Sequence, residues 1–310
     1  MNTIAGKTIT ILMGGPDAER DVSLQSGDRV AAALETFDDL RVVRRIIDDP
    51  DLRTLREVLA QDAMDLVFPV LHGPWGEGGP LQELLTRIGI PFVGSGAEAA
   101  ALAMDKMRTK EAVRELGIPT PRSSHVGADG TIDLETPFVV KPIDEGSSVG
   151  VRVVSDASQT STVVAELQAS HQRLMAESFI AGRELTIGIV GDEALPVIEI
   201  LPSEGLYDYD AKYLRNDTRY EVSPPLPPGL ETTLADWSRQ IHRGVGARDF
   251  SRIDWLLATD PHGTPSPWFL EVNTIPGMTT HSLVPMAAAA HGMPMPALCR
   301  ALAATALARG

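Results

Sequence analysis

Cysteine is almost absent from this chain. Cys299 is the only one in 310 residues, so no intrachain disulfide can form and no thiolate zinc cluster can be built. Positive charge is also short: 27 Lys and Arg stand against 42 Asp and Glu, a formal net charge of −15. Non-specific nucleic-acid binding needs a basic footprint, so nucleic acid is excluded as a class of partner. An anionic membrane surface is disfavoured on the same ground. No run reaches the ~18 apolar residues of a membrane helix. Residues 1–13 hold one lysine and a short apolar run into Gly14-Gly15, which reads as a first strand and not as a signal peptide. The seven histidines are scattered, with no His-Glu-x-x-His spacing. These absences predict a reduced, soluble, cytoplasmic protein. They do not exclude a small anionic substrate, because a few Lys and Arg in one cleft outweigh a distant net charge.

What is present is organised. At roughly 100–200 residues per domain the length predicts two or three domains. Apolar and turn patterns predict strands at 8–13, 41–47, 65–71 and 91–94, with helices at 22–36 and 81–88 and a Gly-rich loop at 72–80. That alternation implies a parallel sheet with ligands at the carboxyl ends of its strands. One long helix is expected over 97–116, closed by Gly117, Pro119 and Pro121. Short strands at 138–141, 151–154 and 174–179 follow, with a helix near 158–169. A hairpin is expected over 184–190 and 194–200, turning at Gly191-Asp192. The polar, Pro-rich stretch 203–228 is long for a connection, and loops of that length are usually lids or binding loops. A helix at 231–246, strands at 250–257 and 268–272, and two terminal helical segments complete the pattern.

Two motifs are decoys. Gly94-Ser-Gly-Ala-Glu-Ala99 matches the relaxed dinucleotide fingerprint, but it ends the first α/β segment instead of opening it, and a helix follows where a second strand is required. Gly146-Ser-Ser-Val-Gly150 matches the serine-hydrolase elbow, and Asp254, His281 and His291 follow in chain order. That elbow requires a helix after the glycine, whereas Val151-Arg-Val-Val154 reads as a strand. The same tip can instead wrap phosphate oxygens with backbone N–H groups and hydroxyls above Lys141. Further on, Arg252 and Asp254 share one strand face, and Glu271 and Asn273 share another, with Leu270 and Val272 opposite them. If these strands pair, Asp254, Glu271 and Asn273 form an all-oxygen set suited to magnesium.

Seven segments in order resemble the D-alanine–D-alanine ligases of the ATP-grasp superfamily. They are Met13-Gly-Gly-Pro-Asp-Ala-Glu-Arg-Asp-Val-Ser-Leu24, Leu71-His-Gly-Pro-Trp-Gly-Glu-Gly-Gly79, Met104-Asp-Lys106, Lys141 with Gly146-Ser-Ser-Val-Gly150, Tyr207-Asp-Tyr-Asp-Ala-Lys-Tyr213, Ser251-Arg-Ile-Asp254 and Glu271-Val-Asn-Thr-Ile-Pro-Gly-Met-Thr279. The resemblance covers nearly the whole chain. It implies an α/β fold with α+β parts and three domains, over 1–103, 104–183 and 184–310, with ATP held between two antiparallel sheets.

The resemblance also implies roles. Lys106 and Lys141 would contact ATP phosphates, with Ser147, Ser148 and Val149 in the loop closing over them. Glu177, Ser178, Phe179 and Ile180 would line the adenine and Glu184 would hold the ribose. Asp254, Glu271 and Asn273 would bind two Mg²⁺ ions, for which Mn²⁺ can substitute. Glu19 would pair with the ammonium of the first D-alanine and join Ser147 and Tyr213 in a hydrogen-bonded network. Arg252 and the Gly277 N–H would stabilise an oxyanion. Lys212 and Ser282 would hold the carboxylate of the second D-alanine, with His72 and Leu283 completing the substrate set. The implied product is D-alanyl-D-alanine for peptidoglycan synthesis, made by a homodimer. A D-alanyl-D-lactate or D-alanyl-D-serine ligase is the sibling reading; the intact tyrosine pattern around Tyr213 favours an amine nucleophile. Pro16-Asp17 and Pro74-Trp75 are local oddities near the expected first-substrate site.

Overall fold

The computed structural model describes residues 4–60, 63–202, 218–260 and 262–309, and its strands form three sheets. The first is built from β1 (Thr8–Gly14), β2 (Arg41–Ile47) and β3 (Leu66–Pro69), all parallel, in the order β2-β1-β3. The helices α1 (Arg20–Leu34), α2 (Leu52–Leu59), α3 (Gly73–Glu77) and α4 (Pro80–Ile88) alternate with them. Central β1 is buried along nearly its whole length, as its unbroken apolar run requires. Edge strand β2 carries Arg41, Arg44 and Arg45 at half-buried or exposed positions, which discourages pairing with another edge.

Two helices, α5 (Ala97–Met104) and α6 (Lys106–Glu115), stand where a single helix is expected. Asp105 breaks the run because its extended backbone and its carboxylate, accepting from the Arg108 N–H at 3.0 Å, cap α6. The second sheet has β4 (Ser123–His125), β5 (Phe138–Pro142), β6 (Arg152–Val154) and β7 (Leu174–Ser178), backed by α7 (Thr160–Gln168), in the antiparallel order β4-β7-β5-β6. Strand β6 begins at Arg152 and no helix follows Gly150, so the Gly146–Gly150 segment is a hairpin tip and not a hydrolase elbow. Strand β4 was not expected; three residues are too few to show a period.

The third sheet runs β11-β10-β8-β12-β13, from β8 (Arg183–Val190), β10 (Ile198–Leu201), β11 (Arg219–Val222), β12 (Phe250–Thr259) and β13 (Pro265–Asn273), with β9 (Glu193–Ala194) paired to β8. Its core face rests on α8 (Leu230–Gly244). Trp255 is fully buried there, stacked on Trp237 and edge-on to Phe269 at 6.0 Å each, and its Nε1–H donates to Ser238 Oγ at 3.1 Å. Helices α9 (Leu283–Ala290) and α10 (Met295–Leu307) complete the chain, and α10 packs on α1.

The 94–99 turn, the dinucleotide decoy, has a structural job. The Gly94 N–H donates to Asp249 at 2.7 Å, and Arg248 donates from its N–H to Ser95 Oγ and from Nε to the Gly94 carbonyl, both at 3.2 Å. Asp249 is buried, adopts a left-handed backbone (φ 62°) and is also ion-paired with Arg309. One carboxylate thus joins segments far apart in sequence. Asp249→Ala should lower stability by about 2–3 kcal/mol, from a lost buried ion pair and an orphaned N–H. Urea unfolding followed by tryptophan fluorescence measures it, and a change below 0.5 kcal/mol, the size of a neutral surface substitution, contradicts this assignment.

Candidate active site

Two cavities abut between the sheets. The larger, of about 670 Å³, is lined by Val139, Lys141, Ser148, Val149, Glu177, Ser178, Phe179, Ile180, Glu184, Leu256 and Leu270. The smaller, of about 300 Å³, is lined by Glu19, His72, Glu77, Ser147, Arg252, Asn273, Gly277, Ser282 and Leu283. Lys106, Glu145 and Glu271 line both and form the wall between them. Every described residue to which the resemblance gave a role, except Asp254, lines one of the two. Asp254 lies buried just behind Arg252. Lys212 and Tyr213 lie outside the described residues, as does most of the 203–228 stretch.

The β12–β13 register builds the wall. Arg252 is paired with Asn273 and Asp254 with Glu271, and a bulge then shifts the register between Asp254 and Trp255. The extra residue is Leu270. It lines the larger cavity beside Glu271, while Phe269 and Val272 turn into the core. Strict alternation places Leu270 opposite Glu271; the bulge corrects that expectation. Arg252 forms a forked ion pair with Asp254, Nη2 to Oδ2 at 2.9 Å, and Thr186 Oγ1 on β8 donates to Asp254 Oδ1 at 2.6 Å. Asn273 Oδ1 accepts from the Ile275 N–H at 2.9 Å, which fixes its amide.

In the smaller cavity the Ser147 hydroxyl donates to Glu19. Both Ser147 and Ser148 hold left-handed backbones (φ 51° and 58°), unusual for residues with a Cβ. A Cβ at Gly277 would come within 2.8 Å of Ser282 Oγ and displace that hydroxyl, which accepts from the Thr279 N–H at 2.8 Å. Burial holds the His72 imidazole below its usual pKa, hence neutral, and its Nε2 has no hydrogen-bond partner among the described residues. Burial pushes the Glu77 carboxyl well above the usual range, with the Glu19 charge adding to the shift, although the Gly73 N–H donates to it at 3.1 Å. Glu77 had no assigned role in the sequence reading; its place beside His72 in a quoted motif was the available signal. The two oddities turn out to be partners, since the Asp17 carboxylate accepts from the Trp75 and Gly76 N–H groups at 3.1 and 3.4 Å. That contact caps α3 and joins the loop bearing Glu19 to the one bearing His72 and Glu77.

In the larger cavity the Lys106 ammonium donates to the Glu145 carbonyl at 2.5 Å and sits 3.8 Å from Glu271. The Glu177 side chain bridges two buried lysines: Lys141, and Lys110 at 2.9 Å. Both of its oxygens are thus engaged by lysines, and Ser178, Phe179 and Ile180 line the cavity beside it. Lys110 was missed, although it lies four residues after Lys106 and so on the same helix face. Among the described residues no three His, Cys, Asp or Glu side chains gather as a metal cluster. Two cross-strand carboxylates and one amide oxygen are donors of the kind magnesium takes, since it keeps waters and shares phosphate oxygens, but Asp254 is engaged by Arg252 and Thr186 and Asn273 by the Ile275 N–H. The hydrolase constellation is not assembled: His291 bonds Glu193 at 2.9 Å, and Asp254 is held by Arg252 and Thr186.

Comparisons with known proteins agree with this geometry. A family described as "D-ala D-ala ligase C-terminus" matches residues 121–304, and "D-ala D-ala ligase N-terminus" matches 48–95. The chain is 44% identical over 302 residues to a D-alanine–D-alanine ligase of Azoarcus sp., covering 96% of each. It is 42% identical to that of Cupriavidus necator, covering 92% of this chain and 87% of the relative. Among solved structures, the Bacillus anthracis D-alanine–D-alanine ligase complexed with ATP matches with a TM-score of 0.83 at 30% identity, covering 98% of both chains.

The Glu77 proton gives a testable pH dependence. An acid whose folded pKa is raised holds its proton more tightly when folded, so its contribution to stability falls as pH rises above the unfolded value of about 4.5. Glu77→Gln keeps an oxygen for the Gly73 N–H and removes the titration. Its stability relative to wild type should therefore climb between pH 5 and 8, by about 1.4 kcal/mol for each pH unit in which Glu77 stays protonated. Urea unfolding across that range measures the difference, and a flat difference refutes the buried-acid assignment.

Proposed function

This chain belongs to the D-alanine–D-alanine ligase family, and from that premise we propose that it joins two D-alanine molecules, at the expense of ATP, to give D-alanyl-D-alanine. The observation that carries the reading is the shared wall. A nucleotide in the larger cavity would bring its terminal phosphate to Lys106 and Glu271, where the smaller cavity begins.

The chemistry follows from the positions. Glu19 would hold the ammonium of the first D-alanine, so that its carboxylate oxygen faces the γ-phosphorus. Attack there forms an oxygen–phosphorus bond, breaks the bond to the β-phosphate oxygen and releases ADP. Lys106 and Lys141 offset charge that would otherwise repel an anionic nucleophile. Asp254, Glu271 and Asn273 would hold magnesium, which when bound supplies further positive charge to the triphosphate. The amine of the second D-alanine, having lost its proton, then attacks the acyl carbon and phosphate departs. Arg252 and the Gly277 N–H line the smaller cavity where the developing oxyanion would sit. Ser282 and Leu283 would seat the second substrate, together with Lys212, and His72 offers a neutral ring. Tyr213 would complete the network of Glu19 and Ser147. An acyl phosphate hydrolyses readily, so the reaction needs water excluded; the 203–228 stretch, apart from Arg219–Val222, which form β11 of the third sheet, is the proposed cover. Domain boundaries near 103 and 183, a homodimer, a cytoplasmic location and a place in peptidoglycan precursor synthesis belong to the same reading. No helix among the described residues is long and apolar enough to cross a membrane.

With magnesium and ATP, the purified protein should release phosphate only when D-alanine is added and should form the dipeptide, seen by chromatography. D-alanine-independent release, or none from folded protein, overturns the proposal. Arg252→Ala should lower kcat by about 10²–10³-fold while the affinity for an ATP analogue stays within about threefold. An unchanged kcat removes Arg252 from the oxyanion role.

A further inference from the structure

The geometry points to Lys110 as a positioning residue that keeps the Lys141–Glu177 pair electropositive toward the polyphosphate. The inference rests on the nucleotide site proposed above and adds a residue that touches no substrate. Of Lys110 and Lys141, only Lys141 lines the larger cavity, where Lys106 also lies, yet its ammonium is ion-paired with the Glu177 carboxylate. Alone, that pair is neutral and has little to offer an anion. Lys110 lies on the other side of the same carboxylate, 2.9 Å from Oε2, with its side chain wholly buried. Two ammonium groups against one carboxylate leave the cluster with a single net positive charge, and only Lys141 is placed to present it.

Three observations support a purpose beyond packing. A buried lysine is costly unless paired, and this one is held on every side: Thr120 Oγ1 at 3.0 Å, Glu177, and the Phe269 ring with its centroid 5.8 Å away. Burial lowers the Lys110 pKa to about 8, with Glu177 opposing the shift, so the site keeps a cation at a location that resists one. Burial would raise the Glu177 pKa, but the two lysines together hold it down to about 2. The carboxylate is therefore ionised, and the second lysine is what prevents it from cancelling the first. The same carboxylate belongs to the 177–180 segment that lines the cavity, so one cluster sets both the charge and the position of that segment.

Titration of AMP-PNP and of adenosine in magnesium buffer, followed calorimetrically, separates this from a structural role. Lys110→Met should weaken AMP-PNP binding by about tenfold, through loss of one nearby unit charge, and leave adenosine within about twofold. Lys110→Arg should restore AMP-PNP affinity to within about threefold of wild type. The double variant Lys110→Met with Glu177→Gln again has one net positive charge, and should also bind AMP-PNP within about threefold of wild type even if the single variant folds poorly. Equal losses for adenosine and AMP-PNP, or a double variant as weak as Lys110→Met alone, overturn the proposal. Because these titrations need no D-alanine, a protein that binds AMP-PNP but makes no dipeptide would count against the ligase reading and leave this test intact.

Discussion

The antiparallel register of β12 against β13 is the constraint on which the site depends. It sets Arg252 opposite Asn273 and Asp254 opposite Glu271, and it is held from below by Trp255, which cannot move without opening the core between Trp237 and Phe269. On the far side, β8 holds Asp254 through Thr186. A hairpin so fixed on both flanks gives its polar face little freedom. The second sheet contributes the opposing surface, with Lys141 and the 177–180 segment, and the parallel sheet supplies Glu19 and His72 from loops at the carboxyl ends of β1 and β3. Residues more than 250 positions apart meet in a space of about 300 Å³.

Charge is distributed there in a way that the total of −15 conceals. In the smaller cavity burial disfavours the charged forms of both the His72 imidazole and the Glu77 carboxyl, lowering the pKa of the first and raising that of the second. The Glu19 carboxylate and the Arg252 guanidinium are charges of opposite sign in that small volume, and Asp21, Lys106, Glu145 and Glu271 line it as well. A zwitterion fits such an arrangement, since each of its ends meets an opposite charge. The larger cavity is weighted differently, with buried lysines along one wall and apolar surface from Phe179, Leu256 and Leu270 along another.

Much of this was legible in the sequence. The period-2 alternation around Asp254 and the motif order placed the right side chains on the right strands, and the β2 bounds were read without error. What escaped has identifiable physical causes. A bulge inserts one residue, so Leu270 changes face and alternation fails beyond it. Asp105 reads as an ordinary helical residue until its carboxylate is seen capping the next helix. The Glu177 carboxylate is shared by two lysines distant in sequence, Lys110 and Lys141, and no local pattern reveals such partners. The proposed roles of Lys212 and Tyr213 rest on the motif alone.

The packing of α10 on α1 bears on how such a chain is made. One apolar cluster unites Val30, Ala31 and Leu34 with Leu298, Leu302 and Ala303. During synthesis the first sheet and its helix emerge well before their covering helix exists, and until then a broad apolar surface faces solvent. The N-terminal unit cannot finish its core by itself, so it does not mature in simple vectorial order. Its completion awaits a helix translated far later, at Met295–Leu307, and contacts of such sequence separation form slowly. The apolar face of α1 that α10 covers is thus the surface whose protection is deferred longest, and uncovered apolar surface is what makes an incompletely folded chain prone to aggregate.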